Sequence, residues 1–295
     1  MRNRILTIAI ILTCTTVFAQ NSRSAVSLTG ADSNPCTTTQ PCRSFTAAIN
    51  ATSPGGDIIA LDSGGYGPFA ISKSISVAGA PGIHAAITAS SGSAININGG
   101  ASDTVMLRNL VLIGSGATEG LSIASAGSVN LSDMTISGFT QNGVDETSSI
   151  AVVTLDKCRI MGNGNIAVNV GSTTKTVITH SEFVGNSTGL YLSGSGKMTV
   201  SGCILARNAV GVDSSGLTSD MFVEDSALVD NSVAAWAGSV NGAGVLRLSN
   251  NVIYGNGIGV QTVAGGTVYT YGNNAIDFND TNVDASTTMN VITQR

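Results

Sequence analysis

The sequence predicts an all-β solenoid, a chain wound into stacked turns of short strands. Three observations carry this. First, the stretch Val105–Asn279 repeats itself eight times, as in Val153-Thr-Leu155-Asp-Lys-Cys158-Arg-Ile160-Met-Gly-Asn163 followed by Val177-Ile178-Thr-His-Ser181-Glu-Phe183-Val-Gly-Asn186. Second, the residues that close the copies, Ser115, Phe139, Asn163, Asn186, Asn208, Asn231, Asn256 and Asn279, follow one another at 24, 24, 23, 22, 23, 25 and 23 residues. Third, columns of apolar residues keep phase with that marker. Eight residues before it stand Leu107, Leu131, Leu155, Ile178, Val200, Val223, Leu248 and Tyr271, and three before it stand Leu112, Ile136, Ile160, Phe183, Leu205, Leu228, Ile253 and Ile276. A third column, five before the marker, mixes Leu110, Met134, Cys158 and Cys203 with Ser181, Ser226, Asn251 and Asn274. Self-similarity at this period means that each turn buries its apolar face only against its neighbours.

The spacing Leu155-x-x-Cys158-x-Ile160-x-x-Asn163 also fits a leucine-rich repeat. The second half of each copy argues otherwise, because Gly189-Leu-Tyr-Leu-Ser-Gly-Ser-Gly196 and Gly259-Val-Gln-Thr-Val-Ala-Gly-Gly266 alternate as strands and end in turns, where a leucine-rich repeat continues into helix. With the strand Val153-Thr-Leu155 ahead of the motif, each turn holds three strands, which makes a parallel β-helix. The pattern resembles the right-handed parallel β-helix proteins of the pectate-lyase-like superfamily, over nearly the whole mature chain. That resemblance implies a right-handed parallel β-helix, of about ten turns by the count of copies, and carbohydrate as the ligand class. It does not choose among lyases, hydrolases, adhesins and binding proteins, all of which use the scaffold.

In chain order, Met1-Arg-Asn-Arg4, the apolar run Ile5–Cys14 and the small residues of Val17-Phe18-Ala19 read as a secretory signal peptide over 1–19. A lipid anchor on Cys14 lacks the small residue expected ahead of the cysteine in Leu12-Thr13-Cys14. Residues 20–52 hold a disulfide loop, with Cys36 and Cys42 paired, and a helix over Ser44–Ala51 that is expected to cap the open end of the solenoid. The order of helix, Pro54-Gly-Gly-Asp57, strand and Gly65-Tyr66 resembles the opening of many exported β-helix proteins. The β-helix is expected over 53–279, with Ile71, Ile75, Val77, Ile87, Ile95 and Ile97 supplying about two less regular turns before the eight regular ones. Residues 280–295 are a tail, a partial last turn or a cap.

Loss of the signal removes Arg2 and Arg4 and no acid, so the formal charge moves from −5 to −7. An acidic, secreted or periplasmic chain of this kind has no electrostatic footprint for nucleic acid, and no run after the signal reaches membrane-spanning length. A monomer is expected, with a polysaccharide or cell-surface glycan as partner. No cofactor and no resident metal are expected: no rung carries two neighbouring Asp, and calcium-roll repeats are missing. The paired Asp of polygalacturonase-like hydrolases is missing too, and no outward column is the uniform Thr row that ice binding needs. Cys158 and Cys203 lie two rungs apart, about 9–10 Å at ordinary strand spacing, and so should be free buried thiols.

Chemistry belongs to outward positions, since inward ones are filled by core. Strand alternation turns Asp133, Lys157, Arg159, His180, Glu182 and Asp225 to solvent, with Asp133 beside Lys157 and Arg159 beside Glu182. These are either surface ion pairs worth about 0–1 kcal/mol each, or a catalytic face. In the catalytic case Lys157 or Arg159 is the base for a uronate α-proton, His180 supports it, and acids such as Glu182 hold a cation. Five residues after the marker, Tyr191, Asp213, Trp236 and Gln261 form an aromatic and polar stripe suited to stacking on sugar rings. The favoured reading is a non-catalytic exported protein that binds carbohydrate; the alternative is a lyase or hydrolase acting on acidic polysaccharide. The marker Asn residues read as a structural ladder whose members take the left-handed turn conformation. On that reading Asn186→Ala is expected to cost less than Ile160→Ala or Leu155→Ala.

Overall fold

The computed structural model describes residues 20–148, 152–239, 242–263 and 265–293. The expected signal peptide and Cys14 lie outside them. Each turn contributes one strand to each of three sheets, and the named strands pair in parallel from one turn to the next. The first sheet has twelve strands, from Asn21–Val26 to Met289–Val291; the second has ten, from Gly64–Tyr66 to Ala275–Asp277; the third has ten, from Phe69–Ile71 to Thr281–Val283. Residues 20–52 thus carry a strand besides the loop and helix, and the last residues add strands to the third and first sheets.

The apolar columns are the registers of the first two sheets. Leu131, Leu155, Ile178, Val200, Val223 and Leu248 face one another in succession, as do Ile136, Ile160, Phe183, Leu205, Leu228 and Ile253. All are buried in one continuous core. The first column ends differently from expectation, because Thr270, not Tyr271, faces Leu248. The last copy has one more residue at the following corner, so Tyr271 turns outward against the Phe222 ring, 6.1 Å away.

Two sharp corners per turn each need a residue of positive φ. Asn109, Asp133, Lys157, His180, Asp225 and Asn250 take φ of 51, 53, 52, 48, 50 and 52° at the first corner, with Gly202 at 65° in the same column. Asp133, Lys157, His180 and Asp225 therefore stand at a bend and not on the second strand, where alternation had put them. At the second corner the left-handed residue is the one before the marker: Gly138, Gly162, Gly185, Arg207, Asp230, Gly255 and Phe278. The marker Asn is freed from that conformation and points inward. Asn186 Oδ1 accepts from Asn163 N (3.1 Å) and Nδ2 (3.0 Å), while its own N and Nδ2 donate to Asn208 Oδ1 at 2.9 and 3.3 Å. The pattern repeats through Asn231, Asn256 and Asn279. A second ladder runs down the mixed column, where Ser181 Oγ accepts from Cys158 N and Asn251 Oδ1 from Ser226 N.

At the N-terminal end Cys36 and Cys42 are disulfide-bonded, while Cys158 and Cys203 are free and buried. The helix is Phe45–Ala51; Ser44 Oγ accepts from Ala47 N at 3.2 Å, and Asp32 accepts from the Arg43 and Ser44 amides. Phe45 packs on the first turn, its ring 5.1 Å from Tyr66 and 4.8 Å from Phe69. No helix among the described residues is long and apolar enough to cross a membrane.

Candidate functional site

Two outward surfaces carry chemistry. The first lies where the first sheet bends into the second. Arg159 and Glu182 are register partners on adjacent turns, with Nε and Oε2 3.2 Å apart. The expected Asp133–Lys157 pair is not among the ion pairs of the described residues; Lys157 Nζ instead lies 4.0 Å from Asp156 Oδ2. The same carboxylate takes His180 Nδ1 at 3.0 Å and the Thr179 hydroxyl at 2.7 Å. Hydrogen bonds from His180 and Thr179 hold Asp156 below the ordinary carboxylate range. The four candidates thus divide into an Arg159–Glu182 pair and an Asp156–Lys157–His180 group on neighbouring turns. Asp156 was legible as the outward neighbour of Leu155 but was passed over, because the strand ends there and the count of alternation restarts beyond the corner.

Chemically, this surface is weak as a base. A guanidinium does not give up its proton in proteins, and Lys157 Nζ is paired with the Asp156 carboxylate. The side chains of Lys157 and His180 are 64% and 67% exposed, so water surrounds the reacting groups.

The second surface is the outer face of the third sheet. Asn169, Tyr191, Asp213, Trp236 and Gln261 face one another in register along five consecutive turns. Tyr191, Asp213 and Trp236 line a cleft of about 350 Å³, rimmed by Ser215, Gly238 and Ser239. Tyr191 and Trp236 are two rungs apart, about 9.6 Å, with Asp213 between them. The indole is pinned, Nε1 donating to Gly238 O at 2.9 Å. Ser215 Oγ lies in hydrogen-bond contact with both the Asp213 carboxylate and Gly238 O. Burial pushes Asp213 up to about 6, and the Ser215 hydroxyl only partly offsets it. Burial and then the charge of Asp213 raise the Tyr191 hydroxyl. Gln261 carries the stripe one turn beyond the cleft. The four residues of the predicted sugar-binding stripe therefore do fall on one face, three of them on one cleft.

Sequence reasoning also missed Glu146. It occupies an inward position between Ile123 and Val170, is 1% exposed, and accepts from the hydroxyls of Ser172 (2.8 and 3.0 Å) and Thr174 (3.0 Å). Among the described residues no three His, Cys, Asp or Glu stand together as a metal site.

The model of a family described as a right handed beta helix region matches residues 93–246. Among solved structures, the chain is similar to the pectate lyase Pel9A, with a TM-score of 0.65 and 17% identity, covering 86% of this chain and 75% of that one. A rhamnogalacturonan lyase gives a TM-score of 0.56 at 14% identity, over 84% of this chain and 75% of that one. The enzymatically active domain of tailspike protein 2 of bacteriophage CBA120 gives 0.57 at 13%, over 88% and 43%. No curated protein matches the chain. At these identities the likenesses show the fold alone.

Proposed function

Because the chain belongs to the right-handed β-helix family, in which the interior is core and only outward side chains can meet a ligand, we propose that it is a non-catalytic carbohydrate-binding protein acting outside the cytoplasm. The observation that carries this reading is the Tyr191–Asp213–Trp236 cleft, built in register on three consecutive turns with its indole held by Gly238. Aromatic faces cover the apolar face of a sugar ring, while Asp213, Ser215 and Ser239 offer hydrogen-bonding groups to its hydroxyls. Two structural neighbours bear the names of polysaccharide lyases, which supports a glycan as the ligand class. The Cys36–Cys42 disulfide is consistent with an extracytoplasmic location, and we place the protein in the periplasm or outside the cell.

A second reading, a lyase or hydrolase acting on acidic polysaccharide, rests on the Asp156–His180 contact. With Nδ1 committed to Asp156, Nε2 is the ring nitrogen left to meet a substrate. The ion pairs of Lys157 and Arg159 weigh against it. A glycan array followed by calorimetry on the hits separates the two. Trp236→Ala and Tyr191→Ala should each weaken binding by on the order of 1–3 kcal/mol, by analogy with bases stacked on aromatic side chains, while Lys157→Ala and His180→Ala leave it unchanged. Formation of an ultraviolet-absorbing unsaturated uronate that is lost in Lys157→Ala or His180→Ala would overturn the binding reading.

A further inference from the structure

The charge around the cleft is lopsided. Across residues 166–174, 188–196, 210–219, 233–239 and 258–263, which form the third-sheet strands on and beside the cleft and the turns that rim it, Asp213 is the only Asp, Glu, Lys, Arg or His. Its carboxylate makes no ion pair among the described residues, and its hydrogen-bond partner is the Ser215 hydroxyl. The nearest side chains along the stripe are aromatic on both sides, Tyr191 on one turn and Trp236 on the next. A partly desolvated carboxylate set between two π systems, with no basic residue to answer it, is an attractive place for a cation and an unfavourable one for a second anion.

Building on the carbohydrate reading above, we propose that the cleft selects amino sugars, seating a protonated amine against the Asp213 carboxylate between the Tyr191 and Trp236 rings. The choice of cation follows from three features. The ring faces contribute cation–π attraction, strongest for Trp. The carboxylate supplies a charge-assisted hydrogen bond to an N–H donor. A uronate would instead bring its own carboxylate beside Asp213 in a site where neither is fully hydrated. An acetylated amine keeps the shape of the sugar but loses the charge, so acetylation is the chemical switch that tests the idea.

The test is calorimetry of the mature protein with glucosamine oligomers, their N-acetylated counterparts and galacturonate oligomers of equal length. The glucosamine oligomer should bind about tenfold or more tighter than either of the others. Asp213→Asn should abolish that preference, bringing the affinity of the glucosamine oligomer down to that of its N-acetylated counterpart, and Trp236→Ala should weaken both. Tetramethylammonium, which has no proton to lose, should compete with the glucosamine oligomer at pH 7.5 beyond the effect of sodium at equal ionic strength. At pH 5, where Asp213 is mostly neutral, that competition should fade. The other titratable group facing Asp213 is Tyr191, whose hydroxyl stays protonated throughout this range. Equal binding of the acetylated and free-amine oligomers, both weakened by Trp236→Ala, would overturn the amino-sugar selection and leave the sugar-binding cleft standing. Indifference of all three ligands to Trp236→Ala would remove both.

Discussion

At the scale of single residues, Asn186 behaves less like a spacer than its place in a repeat suggests. Its side chain accepts from two groups of Asn163 and donates to Ile160 O and Asn208 Oδ1, all in the buried interior. Truncation strands several of these partners, at about 1–3 kcal/mol for each buried polar group left unpaired. Asn186→Ala should therefore cost as much as the core truncations Ile160→Ala and Leu155→Ala, about 2–5 kcal/mol, and not less, as expected from sequence. Urea denaturation of the three variants decides it; a cost for Asn186→Ala below about 1 kcal/mol would show that water or relaxation satisfies the orphaned groups. The acids make a second residue-scale prediction. Asp213 sits at about 6 in the folded protein, against about 3.9 for an unperturbed Asp. Folding therefore takes up a proton, and the stabilisation is complete below about pH 4 and lost as pH rises through about 6. Buried Glu146 is raised as well, chiefly by burial, and acts in the same direction. Asp156, held below the ordinary range, has the opposite sign but titrates at lower pH. Melting temperature should fall from pH 4 to pH 6, less steeply in Asp213→Asn; identical slopes would mean that Asp213 is hydrated like a surface acid.

At the scale of the element, the corners explain what could and could not be read. Columns were legible because inward positions accept only residues that fill a core, and the Tyr191–Asp213–Trp236 stripe was legible because the third strand keeps a fixed offset from the marker. The sign of φ was not, because nothing in the letters Lys or His announces a left-handed bend. Those positions consequently passed as strand residues and drew attention as a catalytic face, while Asp156, one step back, did not. The extra residue that moved Tyr271 outward was hidden by its own apolar character. The corner geometry has an energetic signature. A non-glycine residue at φ near 50° costs about 1–2 kcal/mol, less for Asn, and Lys157 holds such a position at 52° where its column also uses Asn109 and Asn250. Lys157→Asn should raise stability by up to about 1 kcal/mol, measured by urea denaturation, even though it removes the contact with Asp156. A loss of stability would show that the ion pair outweighs the backbone.

At the scale of the whole molecule, the outer face of the second sheet is where association could begin. Ile204, Val252 and Tyr254 lie on it exposed, and Phe278 stands at the corner beside it, 5.2 Å from the Tyr254 ring. We expect sedimentation velocity to give a monomer at micromolar concentration, because the row is narrow and its strands are three residues long. A dimer reverted by Val252→Lys would assign that face to self-association.

Finally, the three corners differ in how much length they tolerate. Six consecutive first corners, from the one after Ser132 to the one after Ser249, are each two residues long. The return from the third sheet to the first takes two residues after Ser125, four after Val170, five after Ser214 and seven after Ala237. The rim of the aromatic cleft, Ser215, Gly238 and Ser239, belongs to this variable corner. A loop grafted after Ser214 or Ala237 would re-wall the cleft and leave every column in phase, whereas the same graft after Asp156 would separate the two sheets that hold the ladders. Frame and selectivity are thus separately heritable: new specificities can be written by insertion at one edge without revising the sequence that folds the rest.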